Sequence, residues 1–483
     1  MIEREPLSMI DTAWLRMDRP TNLMMICGVL MFAEHLDLSE VREVVRTRFL
    51  CFHRFRQRVV TNGGGAAWEM DPDFDLNWHV RRIALPGAAG SAELEEMASD
   101  LISTPLDPTK PMWQFHVIDG ANGGSAMVLR IHHCYGDGFA MTHVMASLTD
   151  INPDKPAAPA VDIGRSSSKR SAWERLLGPV TEAMGDAARI AWSVVETGSD
   201  WIENPSHAVA QAKVGLDLAG QLAFIANMAP DSDTRFKGSL GIMKRVAWAE
   251  PLSLFEVKAV AEALASSVND VLLSCVTAAL RVYLLEQGDL VEGVEVRALV
   301  PVNLRPPGPV RELGNHFGMV FLSLPLGEED PIERVLEVRR RMLELKNSQQ
   351  ATVALGILAG MGVAPVAVKE KILETLAANA SAVMTNVRGP QEPRYFAGKR
   401  ITRQVFWVPQ SGGIGMGISI LSYAGQIDFG VVTDVKRVPD PAVLVKRFVS
   451  EFEALLQRSL TMPWPEHVRR GISRRAGKGR VAS

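Results

Sequence analysis

The stretch Ser125-Ala-Met-Val-Leu-Arg-Ile-His-His-Cys-Tyr-Gly-Asp-Gly138 decides how the chain is read. Residues 125–133 are rich enough in apolar side chains for a buried strand, and Cys134-Tyr-Gly-Asp-Gly138 then breaks the run before a helical pattern over Phe139–Leu148. Two histidines therefore end a strand. An imidazole in that position projects into whatever cleft the sheet edge faces, and its ordinary pKa of about 6.5 suits a general base near neutral pH. His133 is the candidate base. Asp137, in a loop bent by Gly136 and Gly138, can turn inward, pair with an arginine and brace the histidine. On residue chemistry alone, a structural His132–His133 pair or a fragment of a metal site remains open.

Working outward, strand-like and helix-like segments alternate on both sides of this stretch. Met25–Phe32 reads as a strand and Ser39–Leu50 as a helix. After residue 236, Ser253-Leu-Phe-Glu256 is a capping box, and a second helix starts near Asn269-Asp270 and runs to about Leu285, with Asn269 as its natural cap. His316–Leu326 reads as a strand ended by Pro325, Asp330-Pro331 opens a charged helix, Ile414–Tyr423 and Ile427–Val432 form a hairpin, and Asp440-Pro441 opens the last helix. Residues 154–172 collect Pro, Ala and Ser, and an Ala-rich helical stretch with Trp173, Trp192 and Trp201 follows. The expected organisation is a lobe over 1–155, a linker and helical crossover over 156–235, a second lobe over 236–465 and a basic, flexible tail over 466–483.

Composition fits a large α/β protein. The 483 residues exceed one ordinary core, and 47% hydrophobic against 22% charged residues argues for packed interiors. A net charge of −3 provides no basic field for nucleic acid. Cys27, Cys51, Cys134 and Cys275 are scattered singly, which fits a reducing cytoplasm. The opening Met-Ile-Glu-Arg-Glu-Pro lacks the pattern of a secretory signal, and the apolar runs Leu23–Phe32 and Gly356–Val368 are too short or too broken to span a bilayer. No HExxH or CxxC supplies further metal ligands, so no metal is expected; G-x-S-x-G and Walker A motifs are also absent.

His132-His133-Cys-Tyr-Gly-Asp137-Gly138 resembles the HHxxxDG signature of the chloramphenicol acetyltransferase-like superfamily of CoA- and carrier-dependent acyltransferases. Flanking segments are similar to the bacterial wax ester synthase/diacylglycerol acyltransferase family. Pro6-Leu-Ser-Met-Ile-Asp11 looks like its opening, Pro111-Met112-Trp113 like its PLW motif, Val268-Asn269-Asp270-Val271 like its ND motif, and Thr385-Asn386-Val-Arg388-Gly389-Pro390 like its SNVPGP segment. The likeness covers about residues 6–460. Met112 replaces Leu at little cost in volume, whereas Arg388 replaces a proline and puts the local cleft shape in doubt.

The resemblance implies a two-lobed α/β fold, with mixed sheets flanked by helices and a channel between the lobes. It implies an acyltransferase, a diacylglycerol O-acyltransferase or long-chain-alcohol O-fatty-acyltransferase, using acyl-CoA as substrate and no cofactor. His133 would deprotonate a fatty alcohol or diacylglycerol hydroxyl, which attacks the thioester with no covalent enzyme intermediate. His132 and Asp137 are placed with His133 as catalytic residues, with holding the strand end by hydrogen bonds as the competing role for His132. Gly138, Trp113, Asn269, Asp270 and Asn386 would bind substrate or support the site, and Arg305 is the expected partner of Asp137. For these residues helix capping, core packing, turn formation and a surface ion pair are the competing readings. A carrier-protein-dependent condensation-type enzyme and a non-catalytic lipid-binding relative are the alternatives. The expected location is the cytoplasm, with peripheral attachment to the inner membrane face or to lipid inclusions through the tryptophan-bearing helices and the basic tail.

Overall fold

In the computed structural model, which describes residues 4–62, 65–154, 228–305, 313–346, 348, 350–363, 366–410 and 412–461, the strand Ser125–His132 lies inside a six-stranded sheet. All eight of its residues are buried, which accounts for the unbroken apolar run. The sheet order is Tyr395–Phe396, Lys399–Trp407, Met25–Phe32, Ser125–His132, Trp113–Asp119, Val80–Ala84. Met25 lies opposite His132 and Ile131 opposite Trp113, so His133 leaves the sheet just beyond the last paired position.

A second mixed sheet runs Phe317–Pro325, Glu295–Asn303, Ala382–Arg388, Met416–Tyr423, Gln426–Asp434, Lys244–Trp248, with Leu252–Ser253 also paired to Gln426–Asp434. The helices Val268–Glu286, Pro331–Lys346 and Pro441–Thr461 cover it. Val268–Glu286 is long and apolar enough to cross a membrane by composition, yet most of it is buried in this lobe's core. A small third sheet pairs Gly65–Met70 with Arg4–Pro6 and Gln57–Asn62.

The expected lobe limits need one correction. Lys399–Trp407 lies between two strands of the second sheet in sequence, but pairs with Met25–Phe32 of the first. Residues 236–465 therefore do not close on themselves. The exchange is stabilised by burial from both sides: Val405 and Trp407 share an apolar cluster with Val29 and Val128 of the first sheet and with Trp248 and Val432 of the second. The expected crossover helices with Trp173, Trp192 and Trp201 and the tail over 466–483 lie outside the described residues.

Candidate active site

His133 is placed by its backbone. Its N–H donates to the Met24 carbonyl (2.7 Å) and its carbonyl accepts from Asn315 Nδ2 (2.9 Å). The ring stacks on Trp14, with centroids 4.0 Å apart and an interplanar angle of 21°, and Phe317 lies 5.8 Å away. Trp14 belongs to the helix Met9–Met17, whose N-cap Ser8 accepts from the Asp11 amide (3.0 Å). The Pro6–Asp11 opening thus builds the platform under the imidazole. With the side chain 3% exposed, burial holds the imidazole down at about 4, against the opposite pull of Asp137. At neutral pH the ring is therefore uncharged. Nδ1 is sealed off without a hydrogen-bond partner, so Nε2 is the nitrogen left to face the cavity that His133 lines.

His132 is a strut. The Cys134 amide donates to its Nδ1 (3.1 Å), so the neutral ring carries its proton on Nε2. Burial pushes it to about 3, with the neighbouring His133 adding to the effect. Cys134 is buried and its thiol is pushed up, which fits packing rather than reactivity.

Asp137 is 1% exposed and saturated with donors. Arg305 Nη1 reaches Oδ1 at 2.7 Å and Oδ2 at 2.5 Å, the His316 amide donates to Oδ2 (2.8 Å), and the Ala140 amide donates to Oδ1 (2.9 Å). The last bond caps the helix Gly138–Leu148. Arg305 Nη2 also donates to the Gly314 carbonyl (2.8 Å), which accepts from the Asp137 amide (3.2 Å) as well. Gly136 is required where the 134–138 loop meets residue 314: a Cβ there would lie 2.9 Å from Met141 Cε and 3.2 Å from Ala140 Cβ. Segment 314–317 is thus a clasp from the second lobe, and Asn315 extends it by donating to Asp11 Oδ1 (2.8 Å) as well as to His133. Burial raises the Asp11 carboxyl to about 6.

The structure separates the remaining expected site residues. Asn386 Nδ2 donates to Asn269 Oδ1 (2.8 Å), and Asn386 lines the cavity with His133, Asp137 and Gly138. Asn269 is not the helix cap. Ser267 is, in a reciprocal pair in which Asp270 Oδ2 accepts from the Ser267 amide (2.9 Å) and Ser267 Oγ accepts from the Asp270 amide (3.2 Å). Asp270 is therefore bound up in helix initiation, which frees Asn269 to reach Asn386. Trp113 does not line the cavity. It is fully buried behind the strand, stacked on His79 and donating from Nε1 to the Phe55 carbonyl (2.8 Å). Its neighbour Met112 acts on the motif more directly, accepting from the His132 amide (2.9 Å) and donating to Tyr135 Oη (3.0 Å).

Two donors went unread in the sequence. Thr385 and Trp14 both line the cavity that His133 faces, and Thr385 Oγ1 and Trp14 Nε1 are buried without hydrogen-bond partners. Such orphans cost free energy unless a bound group completes them. A second, larger cavity adjoins the first, sharing Gly138 and Val387, between the helix Gly138–Leu148 and the strands around Met25–Phe32. Among the described residues no group of three His, Cys, Asp or Glu side chains could hold a metal ion.

A neutral histidine just beyond the end of a strand, beside a buried aspartate–arginine pair, thus faces a cavity lined by residues of both lobes. Comparison with known proteins gives the family. The wax ester synthase/diacylglycerol acyltransferase catalytic domain matches residues 7–272 and the corresponding C-terminal domain matches residues 313–456. The chain belongs to the wax ester synthase/diacylglycerol acyltransferase family. It is 28% identical over 418 residues to the probable diacylglycerol O-acyltransferase tgs2 of Mycobacterium tuberculosis (strain H37Rv), covering 83% of this chain and 87% of that one. It is 27% identical over 406 residues to the probable diacylglycerol O-acyltransferase tgs1 of the same strain, covering 81% and 82%. Among solved structures, the wax ester synthase/diacylglycerol acyltransferase from Marinobacter aquaeolei VT8 superposes with a TM-score of 0.68 at 20% identity, over 94% of this chain and 99% of that one. The starter condensation domain of rhizomide synthetase shares the fold at a TM-score of 0.58 and 13% identity, over 96% of both chains.

Proposed function

We propose that the protein is an acyl-CoA-dependent O-acyltransferase that esterifies a diacylglycerol or a long-chain alcohol with a long-chain acyl group. The observation that carries this reading is the uncharged His133, held against Trp14 with Nε2 free at an apolar cavity. Nε2 takes the proton of the acceptor hydroxyl while its oxygen attacks the thioester carbonyl carbon. The tetrahedral oxyanion then collapses, the carbon–sulfur bond breaks, and CoA leaves as thiolate to be protonated to the thiol. Thr385 Oγ1 and Trp14 Nε1 are the donors available to the oxyanion. Apolar walls keep water from competing with the acceptor. Asp137 carries no proton in this scheme; it positions the loop and the His133 backbone through its bonds to Arg305 and residues 314–316.

The relatives' names favour diacylglycerol as acceptor. Because these substrates reside in membranes or lipid inclusions, we further propose a cytoplasmic enzyme that binds such surfaces peripherally. Sedimentation with anionic vesicles at low salt checks this, and a wholly soluble fraction would count against it.

The deciding assay follows free-thiol release from palmitoyl-CoA with a diacylglycerol, hexadecanol or no acceptor. Acceptor-dependent release that drops by about 10²- to 10⁴-fold in a folded His133→Ala variant is expected. Absence of release with every acceptor would shift the reading to a carrier-protein donor.

A further inference from the structure

The cavity beside the one that His133 faces is lined by Arg394, a half-buried cation without an ion-pair partner among the described residues. Its walls are apolar side chains of the first sheet and of the helix Gly138–Leu148, among them Leu30, Leu129, Met141 and Met145. The polar side chains on the same wall are satisfied internally: Thr142 Oγ1 donates to the Gly138 carbonyl (2.8 Å), Thr149 Oγ1 to the Ala146 carbonyl (3.1 Å), and Gln404 bonds Tyr423. Arg394 is the exception. It lines the cavity, its Nε is buried with no hydrogen-bond partner, and among the described residues no carboxylate forms an ion pair with it. Its backbone is fixed by bonds from the Arg394 amide to Tyr423 Oη (2.8 Å) and from the Ile401 amide to the Arg394 carbonyl (2.9 Å).

The strand register gives the separation of Arg394 from His133. His132 lies opposite Met25, and Ile401, beside Arg394, lies opposite Phe32. Seven residues of extended strand separate the two ends, roughly 23 Å at about 3.3 Å per residue. That interval exceeds the roughly 15 Å that one leaflet contributes to a bilayer's hydrocarbon core, so only a long, extended hydrocarbon chain would span it. Arg394 is half-buried, so its cation is available to a ligand of opposite charge without having to leave an existing ion pair. One guanidinium matches one carboxylate, whose two oxygens fit its planar fork.

We propose that this cavity binds a long-chain carboxylate, with the hydrocarbon along Leu30, Leu129 and Met141 and the anionic group on Arg394. Two sources carry that chemistry: a free fatty acid lying head-first at Arg394, which would occupy the site as an inhibitor, and an acyl group with a carboxyl at its far end, whose thioester would reach His133. The second source rests on the acyl-transfer reading above; the first does not.

Calorimetric titration of the purified protein with palmitate and with methyl palmitate separates charge from chain. Palmitate is expected to bind at least tenfold more tightly, Arg394→Met to erase the difference, and Arg394→Lys to restore part of it. Equal affinity of the unaltered protein for the two ligands would overturn the proposal without recourse to any variant. Turnover of hexadecanedioyl-CoA against palmitoyl-CoA then identifies the source. A kcat/KM ratio that falls several-fold in Arg394→Met assigns the far end of the acyl group, and an unchanged ratio with the palmitate preference intact assigns the free acid. Release of CoA from neither substrate would count against the acyl-transfer reading while leaving the binding result to stand.

Discussion

Two polar contacts border the catalytic cavity, and they differ in burial and in redundancy. On one side Asp137 receives donors from Arg305, His316 and Ala140, and both it and Arg305 are nearly sealed from solvent. On the other, Asn386 is exposed and donates one bond, to Asn269. The first contact joins the two lobes and the second lies within one. A lost partner at Asp137 leaves a buried cation and two unpaired amides, whereas a lost amide at Asn386 is replaced by water. The sides therefore carry different burdens: one maintains the architecture and the other has freedom to meet substrate.

The largest test of that contrast is stability. Asp137→Ala should cost about 3–5 kcal/mol, because Arg305 stays behind without its carboxylate, whereas Asn386→Ala should cost about 0.5–1.5 kcal/mol at most. Urea unfolding of the two variants measures both. Equal losses would show that the clasp from residues 314–317 holds without its ion pair.

Next in size is a rate effect confined to the cavity. Thr385→Val removes the unpartnered hydroxyl while keeping shape, so kcat should fall on the order of 10²-fold with KM little changed, if that hydroxyl meets the oxyanion. Stability should hold or rise, since the group makes no bond in the free protein. Asn386→Ala sharpens the comparison, with a change of a few-fold expected mainly in KM. A larger fall in kcat for Asn386→Ala than for Thr385→Val would reverse the roles assigned to these neighbours.

Much of this arrangement is legible in the sequence where local chemistry dictates it. Met25–Phe32 is a strand over the expected residues, the strand before the motif ends at His132, one residue short of the expected end, and Arg305 meets Asp137. What sequence reading misses is long-range. His316 looks like the start of a strand and Asn315 carries no local signal, yet both reach back, to Asp11, His133 and Asp137. Trp14 reads as one more apolar position on a helix, and nothing local marks it as the face beneath the imidazole. Asn269 resembles a cap because polar residues open helices; Ser267, two residues earlier, takes that role, and only the fold brings Asn386 within reach. The transfer of Lys399–Trp407 to the first sheet leaves no local trace either, since a strand alternates in the same way whichever sheet accepts it.

The smallest expected effect separates the two sides through the base itself. Burial lowers His133 to about 4, and Asp137 opposes that shift by favouring the charged ring. Catalysis requires the neutral imidazole, so kcat/KM should stay level as pH falls through 6.5 and decline only near 4, where the ring takes up a proton. Asp137→Asn removes the opposing charge while keeping a hydrogen-bonding side chain, and should move that acid limb lower still. Asn386→Ala should leave it in place, because no charge changes. Stopped assays with brief exposure to acid distinguish titration from unfolding. Four buried histidines, His79, His116, His132 and His133, and the half-buried His316 are all lowered, so the unfolded chain gains protons below 6.5 before the native one does, and the raised carboxyls of Asp11, Glu95 and Asp428 offset only part of this. Reversible loss near 4 would locate the base in its buried setting, whereas an acid limb near 6.5 in the unaltered protein would mean that His133 works exposed to water.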